Sequence, residues 1–128
     1  MIYRQLTEEL QKWSERDNRK PLVLRGARQV GKTTLVNELG KKYDVYIKLN
    51  LEKSSDAEIF AKSDNVKEIY QYICLKKKIK VDECKRTLLF IDEIQNEPKA
   101  VGLLRYFYEE MPWLHIIAAG SRLQTLIK

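Results

Sequence analysis

Alternation of short apolar runs with amphipathic stretches predicts an α/β fold with a parallel sheet and flanking helices. Three observations carry this. Leu22-Val23-Leu24, Val45–Leu51, Thr87–Asp92 and His115–Ala119 read as strands separated by helical periodicity. The strand at 87–92 (TLLFID) and the one at 115–119 (HIIAA) are continuously apolar, as expected of strands covered on both faces. No Pro/Gly-rich linker, internal repeat or low-complexity tract divides the 128 residues, so one domain is expected.

Each element has its own signal. Residues 3 to 17 read as a helix because Leu6, Leu10 and Trp13 recur on one face. The stretch before Pro21 ends it, since a residue preceding proline avoids helical angles. Pro21 and Gly26 bound the first strand, and a helix is expected from Gly31 to about Lys42. After the second strand, Ser54 or Ser55 is expected to cap a short helix through Phe60. Ser63 or Asp64 is expected to cap the next, whose apolar stripe is Val66, Ile69, Tyr70, Ile73 and Cys74. Leu103, Leu104, Phe107 and Tyr108 form the apolar side of a helix from about Lys99 to Glu110, and residues 121–128 begin another helix.

Composition narrows the function classes. Hydrophobic residues make up 44% and charged residues 33%, with 5 Gly and 3 Pro, which is globular rather than disordered or fibrous composition. The longest apolar runs are too short to span a bilayer, and Met1–Gln5 lacks the apolar core of a secretion signal. A soluble, cytoplasmic protein with no membrane segment is therefore expected. Cys74 and Cys84 belong to no CxxC pair, and His115 is the only histidine, so no zinc spacing exists and a reduced pair is expected.

The net charge of +6 is unevenly spread. Residues 76–86 (KKKIKVDECKR) hold six basic and two acidic side chains, four of those six charges. Such a segment fits a phosphate-contacting patch for nucleic acid. It fits equally well a solvated helix end whose lysines complement the negative pole. No aromatic residues interleave with the lysines as a single-strand groove would require.

The chemistry is concentrated in two places. Gly26-Ala27-Arg28-Gln29-Val30-Gly31-Lys32-Thr33 matches G-x-x-x-x-G-K-[ST] between a predicted strand and a predicted helix, with Thr34 next. The glycines let successive N–H groups turn toward a phosphate, and the helix N-terminus adds its positive pole. Lys32 is placed to reach the β- and γ-phosphates, and the Thr33 hydroxyl to ligate Mg²⁺. The second place is Leu88-Leu89-Phe90-Ile91-Asp92-Glu93, where two carboxylates close an apolar strand. Ligands bind at that carboxyl edge in open α/β sheets. Asp92 is the expected metal residue and Glu93 the expected base that polarises water.

GARQVGKTT, LLFIDEIQ and IIAAGS together resemble the AAA-type ATPases of the ASCE class of P-loop NTPases. They are most similar to a prokaryotic AAA-like family whose ATPase domain is usually followed by a separate C-terminal domain. The resemblance implies ATP as the nucleotide, with Mg²⁺. It makes residues 26–34 the nucleotide cradle, Thr33 and Asp92 the metal positions, and Lys32 and Glu93 catalytic. It also implies a strand order 5-1-4-3-2, which without the fifth strand becomes 1-4-3-2. Ser121 then follows the strand between the two motif strands, as a polar sensor facing the γ-phosphate or as a helix N-cap. Arg122 is a weaker candidate for phosphate contact.

The fifth strand, an arginine finger and the C-terminal domain of that family are absent from these residues. Residues 1–128 are therefore expected to be the N-terminal ATPase portion of a longer protein, weakly active alone, with a homo-oligomer open. Two alternatives to an ATPase stand at this level. One is a nucleotide-switched nucleic-acid-binding or regulatory module using residues 76–86. The other is a small-molecule kinase, disfavoured by the Asp-Glu pair and the lack of an arginine-rich lid.

Overall fold

A computed structural model describes residues 2–17, 19–25 and 31–120. Its elements, in chain order, are α1 (Ile2–Glu15), β1 (Leu22–Arg25), α2 (Lys32–Gly40), β2 (Val45–Asn50), α3 (Ser54–Ala57), α4 (Val66–Lys77), β3 (Thr87–Asp92), α5 (Pro98–Glu110) and β4 (His115–Gly120). Single 3₁₀ turns stand at Glu58–Ala61 and Ile94–Asn96.

The four strands are parallel and ordered β1-β4-β3-β2, as expected. Leu22 pairs with Ile117, Leu88 with His115 and Val45 with Thr87, so every strand ends at the same edge. Side chains alternate between faces with period two. Ile47, Leu49, Leu89, Ile91, Ile116 and Ala118 pack with α4 and α5. Leu88, Phe90, Ile117 and Ala119 pack on the opposite face with α1 and α2, through Leu10, Trp13, Leu35, Val36 and Leu39. β3 and β4 are thus covered on both sides, which is why they read as unbroken apolar runs.

Several boundaries differ from the sequence expectation for identifiable reasons. α1 ends at Glu15, because the Arg16 N–H turns to the Trp13 carbonyl at 3.2 Å and tightens the last turn. α2 ends at Gly40, where Lys42 and Tyr43 donate three residues back, to Leu39 and Gly40. Asn65, rather than Ser63 or Asp64, caps α4: its Oδ1 accepts from the Lys67 and Glu68 N–H groups at 2.8 and 3.3 Å. Ser63 instead braces that cap by accepting the Asn65 N–H at 2.9 Å. Neither Ser54 nor Ser55 caps α3, since both lie within it and Lys53 holds the cap position without a side-chain bond.

The opposite edge of the sheet, where strands begin, is closed by a polar cluster. His115 is buried, its Nδ1 2.5 Å from the Tyr43 hydroxyl, and its ring meets Trp13 and Tyr43 edge-on. The Arg86 guanidinium lies over the Tyr43 ring at 4.2 Å and donates to the Ser14 carbonyl at 3.1 Å. Burial, then the charges of Arg19 and Arg86, pushes His115 down to about 3. Burial also pushes Tyr43 up to about 12. Both groups are neutral near pH 7, and a single hydrogen bond joins the hydroxyl and the imidazole.

The sign for stability follows. An unfolded histidine takes a proton near pH 6.5, whereas the folded one resists down to about 3. Stability therefore falls as pH drops below 6.5, by about 2 kcal/mol between about pH 7.5 and pH 5. Urea unfolding at the two pH values is expected to show this loss in the wild type and a flatter dependence in His115→Gln.

Candidate nucleotide site at the carboxyl edge of the sheet

Arg25, Asn50, Asp92 and Gly120 close the four strands at one edge. The phosphate-loop candidates Gly26, Ala27, Arg28, Gln29 and Val30 lie outside the described residues, as do Ser121 and Arg122. Gly31 has a φ of 111°, in the left-handed region. Glycine adopts that region freely, whereas a Cβ would strain it. The Gly31 carbonyl accepts the Leu35 N–H at 2.8 Å, so α2 starts here. Among the described residues no side chain caps this helix, whose positive pole lies at its Gly31 end. Lys32 and Thr33, the first two residues of α2, are half-buried, and Thr34 is exposed.

Asp92 has the strand parity of Leu88 and Phe90, and so belongs to the face packed by α2. Tyr46 lies on the same face of neighbouring β2. Burial raises its phenol above the ordinary value, and the Asp92 charge adds to that. The main chain of Asp92 is held by β2, since its carbonyl accepts the Leu51 N–H at 3.0 Å. Its Oδ1 accepts the Glu93 N–H at 2.9 Å.

Glu93 leaves the strand sharply. Its φ of 53° and ψ of 46° are left-handed, unusual for a residue bearing a Cβ and costing about 1–2 kcal/mol. The turn buries the side chain to 6% exposure, and the Gln95 Nε2 donates to its Oε1 at 2.8 Å. Its carbonyl accepts the Asn96 N–H at 3.1 Å, anchoring the 3₁₀ turn that leads to α5.

β4 lies between β1 and β3, so the strand that leads to the phosphate-loop candidates and the one that ends in Asp92 are two strand spacings apart, about 10 Å. The intervening strand finishes in Ala118, Ala119 and Gly120, the smallest side chains available. A helix N-terminus and a carboxylate pair thus flank a low-profile strand end. Carboxylate and hydroxyl oxygens are the donors a hard cation takes. Among the described residues no group of three or more His, Cys, Asp or Glu converges on a metal position.

A family model described as AAA domain matches residues 18–128. The chain belongs to the AAA domain family. Among solved structures, the Aeropyrum pernix Orc1 protein in complex with DNA has a similar fold, with TM-score 0.55 and 17% identity. The alignment covers 92% of this AAA chain and 37% of the Orc1 chain, so the present residues span little over a third of that protein. No curated protein matches the chain. The family and the sheet order 1-4-3-2 agree with a nucleotide-binding, ATPase-type module of the P-loop class.

The basic segment is partly committed to the fold. Lys76 and Lys77 form the last turn of α4, and their Nζ atoms lie 3.0 and 3.6 Å from the Asp56 Oδ1. Asp56 is buried and also accepts the Asn50 N–H at 3.0 Å. Burial raises its proton affinity, but that N–H bond and the two lysines outweigh it and hold the carboxyl below its ordinary range. The two lysines therefore tie α4 to the end of β2. Lys78, Lys80 and Lys85 remain exposed. Cys74 is buried and Cys84 exposed, both as free thiols, and no described helix is long and apolar enough to cross a membrane.

Two residues of this edge were not singled out by motif reading. Gln95 stands in the quoted DEIQ run, and only its bond to Glu93 gives it a role at the site. Asn50 carries no motif signal, and its N–H is held by the Asp56 carboxylate.

Proposed function

We propose that residues 1–128 form the ATP-binding domain of a Mg²⁺-dependent ATPase whose hydrolysis drives a conformational change. The observation that carries this reading is the start of α2 at the left-handed Gly31, with its positive pole, at the sheet edge that ends in Asp92 and Glu93, across the small residues of β4. On this proposal residues 26–34 cradle the phosphates with backbone N–H groups, and Lys32 neutralises the β- and γ-oxygens. Thr33 and Asp92 would hold Mg²⁺, which supplies charge neutralisation on the phosphates when bound. Glu93 takes a proton from the attacking water, and its burial keeps the carboxylate from wandering. Ser121 is assigned to the γ-phosphate as sensor.

A longer chain and a cytoplasmic location belong to the same proposal. β1 has a neighbour on one side only among the described strands, which leaves an edge for a further strand from this chain or a second copy. An arginine finger supplied from elsewhere is worth several orders of magnitude in related reactions. Residues 1–128 are thus expected to release phosphate from ATP slowly, only with Mg²⁺, and not after chelation. Equal release with and without the cation contradicts the proposal.

A second reading concerns nucleic acid. Lys78, Lys80 and Lys85 are exposed just beyond α4, and the Orc1 structure of similar fold is a complex with DNA. Under this reading DNA affinity falls steeply with salt and is lost on charge reversal at Lys78 and Lys80. Absence of binding at low salt removes it.

A further inference from the structure

We propose that Gln95 is a positioning residue for Glu93, setting the carboxylate for attack by water. This rests on the ATPase reading above. The Gln95 Nε2 donates to the Glu93 Oε1 at 2.8 Å across one 3₁₀ turn, while the Gln95 Oε1 is shielded from solvent without a hydrogen-bond partner among the described residues. The second fact decides what the first means. A part-buried amide whose shielded oxygen is unsatisfied is a poor stabiliser, because the orphaned acceptor forfeits its hydration. An apolar side chain of the same length would serve the fold at least as well. What that side chain could not do is donate to a carboxylate, a charge-assisted bond with narrow geometry.

The local backbone makes that bond effective. Glu93 is held left-handed, with its N–H on the Asp92 Oδ1 at 2.9 Å and its carbonyl taken by Asn96. The remaining freedom lies in the side-chain torsions, and the Gln95 amide restrains the far end of them. Ile94, between the two residues, is fully buried and fixes the turn that brings them together. A base displaced by even about 1 Å loses much of its effect, so restraint of this kind acts on turnover rather than on nucleotide affinity.

The test uses the whole chain with ATP and Mg²⁺. Gln95→Met preserves length and removes both the donor and the orphaned acceptor. Its kcat is expected to fall about tenfold or more, with the dissociation constant for ATP within about twofold of wild type and a melting temperature close to wild type. Gln95→Glu, nearly isosteric but facing Glu93 with a second carboxylate, is expected to lose at least as much. Wild-type kcat in Gln95→Met overturns the inference, as does a lowered melting temperature with unchanged turnover, the mark of a merely structural role. Failure of the underlying reading looks different: no turnover in the wild type, or full turnover in Glu93→Gln, removes the ATPase proposal and this inference with it.

Discussion

Replacing Lys32 with alanine is expected to weaken ATP binding by about 100-fold. Lys32 opens α2 directly after the left-handed Gly31, so its chain leaves from the positive pole of that helix. Truncating one partner of a desolvated, charge-assisted contact costs about 2–5 kcal/mol, because the phosphate oxygens keep their charge and lose the ammonium that offset it. The core should be little affected. Leu35, Val36 and Leu39 carry the packing of α2, and Lys32 is not among the core residues. Calorimetric titration of the variant, alongside a thermal melt that stays near wild type, checks both halves of the expectation.

Replacing Glu93 with glutamine has the opposite signature. The amide keeps the size of the buried side chain and can still accept from Gln95, so ATP affinity is expected to remain within a fewfold of wild type. Turnover is expected to fall by about 100-fold or more, since a positioned general base contributes on the order of 10²–10⁴. Single-turnover phosphate release reads this directly. A variant that binds and hydrolyses like wild type would return Glu93 to a purely structural role at its strained turn.

Much of the fold was legible because the physics behind it is local. Leu88–Ile91 and Ile116–Ala119 are apolar on both faces, and a strand of that kind requires helices above and below. The order β1-β4-β3-β2 is not a local property, and it came from the resemblance carried by GARQVGKTT, LLFIDEIQ and IIAAGS. Caps were less legible, since Ser63, Asp64 and Asn65 are all good capping residues and competition among neighbours is settled by backbone geometry. The candidate site divides in the same way. Gly31, Lys32, Asp92 and Glu93 follow from spacing and strand edge, whereas Gln95 needed the left-handed turn at Glu93 to bring its amide round. The lysine run showed the reverse, because charge counting cannot reveal that Lys76 and Lys77 already have Asp56 as a partner from another element.

The central claim is that this sheet edge is a nucleotide site, and titration of the chain with ATP, ADP and GTP, with and without Mg²⁺, tests it most directly. The account predicts saturable binding of ATP and ADP, ATP tightened by Mg²⁺ and nearly lost in Lys32→Ala. Absence of saturable binding to any of the three nucleotides, or equal affinity in wild type and Lys32→Ala, would contradict it.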